Sequence, residues 1–197
     1  METDNLILPH SFYERDTITV ARGLIGKVFI YKKSRSVFSG RIVEVEAYTA
    51  GNDEACHAHR GKTERNKIMF GPPGHAYIYF TYGMHYCMNF VTEPENIAAA
   101  VLIRALEPLE GISMMSKNRN TEILTDLCSG PAKLTQAFGI DKKLNGTPLT
   151  GMKFSVINEN YSDFEIGVSK RIGINVSVDL SWRFYMKGSK YLSRKEK

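Results

Sequence analysis

The alternation of apolar and polar positions divides the chain into elements of mixed type. Behind Asp16, the residues Ile18, Val20, Ala21, Leu24 and Ile25 follow a helical period, which predicts a helix capped by Asp16 and ended by Gly26. "KVFIY" (27–31) then reads as a strand, "KKSRS" as a turn and "GRIVEVEAY" (40–48) as a returning strand. Residues 49–66 form a loop rich in glycine and charge, too long for a mere connector. "AYIYF" (76–80) and "HYCMNFV" (85–91) read as the arms of a hairpin around Thr81–Met84, and "AAAVLIRAL" (98–106) as a buried strand. Ser129-Gly130-Pro131 opens a short helix that Gly139 closes, and "RIGINVSV" (171–178) and "WRFYM" (182–186) look like further strands. Strands and helices do not alternate as βαβ units. The pattern predicts an α+β fold: one compact domain over residues 1–197, with a curved, mostly antiparallel sheet, flanking helices and a protruding hairpin.

Composition narrows the class. The 197 residues, 43% hydrophobic and 24% charged, suffice for a core and exclude a disordered chain. A net charge of +5 is a mild bias toward a polyanionic partner. Three scattered cysteines give neither a disulfide framework nor a CxxC zinc pattern. The N-terminus has only a short apolar run, and no segment approaches the length of a membrane span, so the expectation is a soluble, intracellular protein with no membrane partner.

Candidate chemistry lies first in "RIVEVEAY". Strand alternation places Glu44, Glu46 and Tyr48 on the face opposite Val43, Val45 and Ala47. That face is either a solvated surface or a paired one. Arg104, embedded in "AVLIRAL", tips the balance, because a buried guanidinium is costly without a carboxylate partner and Glu44 and Glu46 are available. A carboxylate held beside a guanidinium stays ionised and serves as a base rather than an acid. Cys56, His57 and His59 in "CHAHR" make a poor metal set, so no metal or cofactor is expected. Tyr48, Tyr77, Tyr79, Tyr82 and Tyr86 are either core or a stacking site for a flat heterocycle.

These residues are shared with a known family. "RIVEVEAY", "DEACH", "YIYFTYGMHYCMN", "VLIRALEPLEG" and "LCSGPAKLTQA", in that order, resemble the alkyladenine (3-methyladenine) DNA glycosylase family over residues 5–193. The resemblance implies a monofunctional enzyme of base excision repair. It would flip alkylated or deaminated purines from duplex DNA (3-methyladenine and 7-methylguanine, with hypoxanthine and ethenoadenine left open) and hydrolyse the N-glycosidic bond. It further implies Glu46 as the base that activates water, with Arg104 helping to hold that water. Tyr48, His57 and Tyr79 would contact the flipped base, and Asn89 would disfavour the amino group of guanine. Tyr82 would wedge into the duplex with Met84 beside it.

Thr63, Arg65 and Lys133 are candidate phosphate contacts, the last at a helix start that reads equally well as an ordinary cap. The partner expected is double-stranded DNA carrying damaged purines, bound by a monomer. The rival readings are a non-catalytic lesion binder, an N-glycosidase of free nucleosides and a structural domain. The first has no need of the Glu46–Arg104 pair, and the second has no use for a hairpin wedge. The third leaves the paired charges unexplained.

Overall fold

The structure is a computed structural model, and it describes residues 6–81 and 83–194. Among the described residues four α-helices, α1 (His10–Tyr13), α2 (Thr17–Leu24), α3 (Ile112–Arg119) and α4 (Pro131–Phe138), flank eight strands. The strands are β1 (Val28–Lys33), β2 (Ser36–Thr49), β3 (Ala76–Thr81), β4 (His85–Val91), β5 (Ala99–Glu110), β6 (Phe154–Ile157), β7 (Ile166–Ser169) and β8 (Arg183–Met186). They form one antiparallel sheet in the order β3-β4-β5-β2-β1-β6, with β8 paired to both β2 and β7. The α+β class read from the sequence is therefore correct.

Local chemistry explains the elements. The Asp16 carboxylate accepts the Thr19 N–H at 2.9 Å and caps α2, whose buried residues Val20, Ala21 and Leu24 repeat at helical spacing. Pro131 starts α4, and Gly139, at φ +64°, ends it in the left-handed conformation that side chains resist. Gly83, at φ +69°, serves the tip between β3 and β4 in the same way. "RIGINVSV" is not a strand. The stretch is broken by positive φ at Gly173 and Ser177, and Arg171 turns inward to a buried ion pair instead of joining a ladder.

Register sorts the two faces of the sheet. Ile78, Met88, Phe90, Val101, Ile103, Val43, Val45 and Ala47 belong to the main apolar core, together with α2 and α4 side chains. On the other face one row crosses five strands. Tyr77 pairs with Asn89, Asn89 with Leu102, Leu102 with Glu46, and Glu46 with Arg183. Directly paired residues point to the same side, so this row fixes which side chains share the site. Here a smaller apolar cluster, including Cys56, Ala58, Met69 and Tyr77, packs beneath the 49–66 loop.

The β2–β5 ladder is irregular at its centre. Val45 pairs with Ile103 and Glu44 with Ala105, so the register skips Arg104. Such a bulge re-aims the extra side chain. The Arg104 guanidinium reaches two carboxylates of the neighbouring strand at once.

Candidate active site

Glu46 is fully buried at the centre of the site. Its Oε2 accepts the Tyr48 hydroxyl at 2.8 Å and Arg104 Nη1 at 3.2 Å, and its Oε1 accepts the Ile172 N–H at 2.7 Å. A carboxylate offers about four acceptor positions, so three donors leave about one open for a water proton. The Tyr48 phenol is driven well above its ordinary range by burial and then by the Glu46 charge, so it acts as a donor only.

Beneath Glu46 lies a second carboxylate. Glu44, also without exposed surface, accepts Arg104 Nε at 3.1 Å, Arg183 Nε at 2.7 Å, the Ser193 N–H at 2.6 Å and the Ser193 hydroxyl at 2.7 Å. Burial opposes the charge on Arg104, but Glu46 and Glu44 outweigh it and hold the guanidinium protonated. The pairing inferred from the apolar setting of Arg104 is present with both candidate acids.

Above this network opens a cleft of about 340 Å³, lined in part by Tyr48, His57, Tyr79, Leu102, Arg104 and Ile172. A recess of about 30 Å³ continues from the same walls to Met69, Tyr77 and Asn89. Asn89 is buried, and its Nδ2 donates to the Tyr77 carbonyl at 3.1 Å. The His57 ring stands edge-on to Tyr79, centroids 4.5 Å apart, and its Nδ1 lies 3.0 Å from the Tyr77 hydroxyl. Enclosure by its neighbours, and then the Arg65 charge, lower His57 to about 4, although the residue itself is exposed to the cleft. The imidazole is neutral at pH 7. Burial pushes Tyr77 up to about 12 and Tyr79 further, so both rings keep their protons. Flat π-faces, neutral donors and one buried carboxylate suit a planar, electron-poor ring and the hydrolysis of a bond attached to it.

The structure thus brings Arg104, Tyr48, His57 and Tyr79 to one cleft, with Asn89 in the adjoining recess and Glu46 bound directly behind Tyr48 and Arg104. The other described candidates line neither the cleft nor the recess. The exposed Met84 is at the hairpin tip, its N–H donating to the Thr81 carbonyl at 3.3 Å. Tyr82 lies outside the described residues. Thr63 and Asn66 staple a turn reciprocally, backbone N–H to side-chain oxygen in both directions, at 2.6 and 3.3 Å. Arg65 sits 5.3 Å from the Tyr79 ring centroid. It also lines a larger groove of about 590 Å³ with Lys67, Lys142 and Asn145, on residues that include Tyr79 but no buried carboxylate. Lys133 is ion-paired with Asp126, which Arg119 also holds at 3.1 Å, so its charge is already engaged.

Sequence reasoning missed Glu44 as a hub, and with it Arg183, Ser193, Asp53 and Arg171. Arg183 carried the same signal as Arg104, a charge inside the apolar run "WRFYM". Asp53 and Arg171 carried none, since both lie in irregular segments. Among the described residues no three His, Cys, Asp or Glu side chains are placed to hold a metal, and no helix is long and apolar enough to cross a membrane.

Comparison with known proteins places the chain. The model of the methylpurine-DNA glycosylase family matches residues 11–190. A relative from Carboxydothermus hydrogenoformans, named "Putative 3-methyladenine DNA glycosylase", is 52% identical over 96% of this chain and 100% of its own. Relatives of the same name from Methanoculleus marisnigri and Chlorobaculum tepidum are 48% and 51% identical. They cover 96% and 93% of this chain, and 100% and 88% of their own lengths.

Proposed function

The chain belongs to the methylpurine-DNA glycosylase family, and we propose that it extrudes alkylated or deaminated purines from duplex DNA and hydrolyses their N-glycosidic bond with a water activated by Glu46. As a DNA glycosylase it is a hydrolase of N-glycosyl bonds in base excision repair. The observation that carries the mechanism is the Glu46 carboxylate, held by three donors with about one acceptor position left, below a cleft walled by aromatic rings.

The chemistry follows from that geometry. A base inside the stack cannot reach a buried carboxylate, so it must leave the duplex at a cost of a few kcal/mol. Stacking between Tyr48, His57 and Tyr79 offsets that cost by roughly 1–3 kcal/mol per stacked base. An N3- or N7-methylated purine is cationic, so it is drawn to π-faces and departs without a strong acid. That agrees with a cleft whose His57 is neutral and whose phenols stay protonated. Glu46 takes the proton of the attacking water, and Arg104 orients that water while holding the carboxylate. Asn89, deep in the recess, presents its buried amide against an exocyclic amino group. Tyr82, at the tip between Thr81 and Gly83, fills the gap left by the base, with Met84 alongside. Among the described residues no lysine lines the cleft, which supports water rather than an amine as the attacking group and an abasic site in an unbroken strand as the product.

The test is base release from a duplex oligonucleotide carrying a single 7-methylguanine, hypoxanthine or ethenoadenine. The reading expects free base and a strand that breaks only after alkali. A strand nicked without alkali, with a borohydride-trapped covalent complex, would overturn the water mechanism.

A further inference from the structure

We propose that the buried ion pair between Asp53 and Arg171 is a positioning device: it ties the two loops that wall the cleft and fixes the Glu46–Ala47–Tyr48 stretch from behind. The inference rests on the glycosylase reading above and adds to it two residues that do not touch the cleft.

Arg171 and Asp53 form a two-pronged pair, Nη1 to Oδ2 and Nη2 to Oδ1 both at 2.6 Å, with no exposed side-chain surface on either partner. Stability alone gives little reason for such a pair, since a buried ion pair often does no better than apolar side chains of the same volume. Its geometry supplies the reason. Three successive residues of β2 each receive one contact from residues 171–172. The Ile172 N–H donates to Glu46 Oε1 at 2.7 Å, and Arg171 Nη1 donates to the Ala47 carbonyl at 2.9 Å. The flat guanidinium lies 4.5 Å from the Tyr48 ring centroid and 5.3 Å from that of Trp182. Asp53 acts on the opposite wall. Its Oδ1 accepts the Ala55 N–H at 3.1 Å and its carbonyl accepts the Cys56 N–H at 3.0 Å, which starts the turn carrying Ala55 and His57 into the cleft. Residues 172–174 line the other side. One ion pair therefore sets the width of the slot, the back of Tyr48 and the direction of one Glu46 oxygen.

The fork and the stack both need a planar guanidinium, which an ammonium cannot imitate. Arg171→Lys is accordingly the informative variant, because it keeps the charge opposite Asp53. Two readouts are taken on it and on wild type: hydrogen exchange at the Ile172 amide by NMR, and single-turnover base release from dimethyl-sulfate-treated duplex DNA. Loosening of this wall should speed Ile172 exchange by about tenfold or more while β-sheet amides of the core keep theirs. The release rate should fall by about ten- to a hundredfold, as a displacement of the order of 1 Å does, with affinity for the DNA changed less than about threefold. Should Arg171→Lys fail to fold, Asp53→Asn, which keeps the shape and one acceptor, takes the same measurements. Unchanged Ile172 exchange, or an unchanged release rate beside an active wild type, overturns the positioning role. A wild type that releases no base overturns the glycosylase reading instead, and the exchange measurement still decides the role of the pair.

Discussion

Arg104 Nη1 lies 3.2 Å from Glu46 Oε2, and the two side chains are 9% and 0% exposed. Removing the guanidinium would take from Glu46 the arginine that faces its Oε2 and leave Glu44 to Arg183 and Ser193. Breaking a buried pair by deleting one partner costs about 3–5 kcal/mol. Arg104→Met should therefore lower the melting temperature by roughly 10 °C in a chain of this size. A calorimetric scan with no shift would mean that water reaches the pair and screens it.

Replacing Glu46 by Gln removes the charge while keeping the shape. Loss of a positioned base lowers rates by about 10²–10⁴-fold. Glu46→Gln should accordingly hold methylated duplex DNA with near-native affinity and release its bases at least a hundredfold more slowly. Equal single-turnover rates for the two proteins would take Glu46 out of the reaction.

The outline of this site was legible because it sits on regular strands. Alternation put Glu44, Glu46 and Tyr48 on one face, and an arginine among apolar residues required a carboxylate. The positions of Asp53 and Arg171 were not legible. They meet across 118 residues through irregular segments, where no period links sequence to direction. "RIGINVSV" misled for a related reason. Its alternating β-branched residues mimic a strand, but the ion pair and the positive φ at Gly173 and Ser177 outweigh that preference. Helix α3 escaped notice because its apolar residues form no stripe, with Ile112 and Met114 exposed and Met115 buried.

The hairpin tip gives a separable test. Met84 is 69% exposed, so its truncation has little effect on folding, within about 0.5 kcal/mol. Covering that side chain against DNA is worth about 1.5–3 kcal/mol if it is fully buried there. Met84→Ala should thus keep its melting temperature and bind duplex DNA about tenfold more weakly by fluorescence anisotropy. Tyr82→Ala should reduce the flipped fraction, read from ethenoadenine emission, more than it slows release from the flipped state. Unchanged anisotropy in the first variant and unchanged emission in the second would remove the tip from the duplex.

His57 supplies a prediction with a definite sign. Its pKa is lowered to about 4, first by desolvation and then by the Arg65 charge, against about 6.5 for a free histidine. Above pH 6.5 folded and unfolded chains both hold the neutral ring, and the group leaves stability unaffected. Between pH 6.5 and 4 the unfolded chain takes up the proton first, so stability falls as pH falls and levels off once the folded protein is protonated too. Because the residue is open to the cleft, solvent screening makes the loss smaller than the full shift implies. An NMR titration of the His57 ring should place its midpoint near 4, and Arg65→Gln should move that midpoint upward without carrying it to 6.5. A midpoint near 6.5 in the wild type would show an open, hydrated imidazole, and with it a cleft whose aromatic wall does not exclude water from the base.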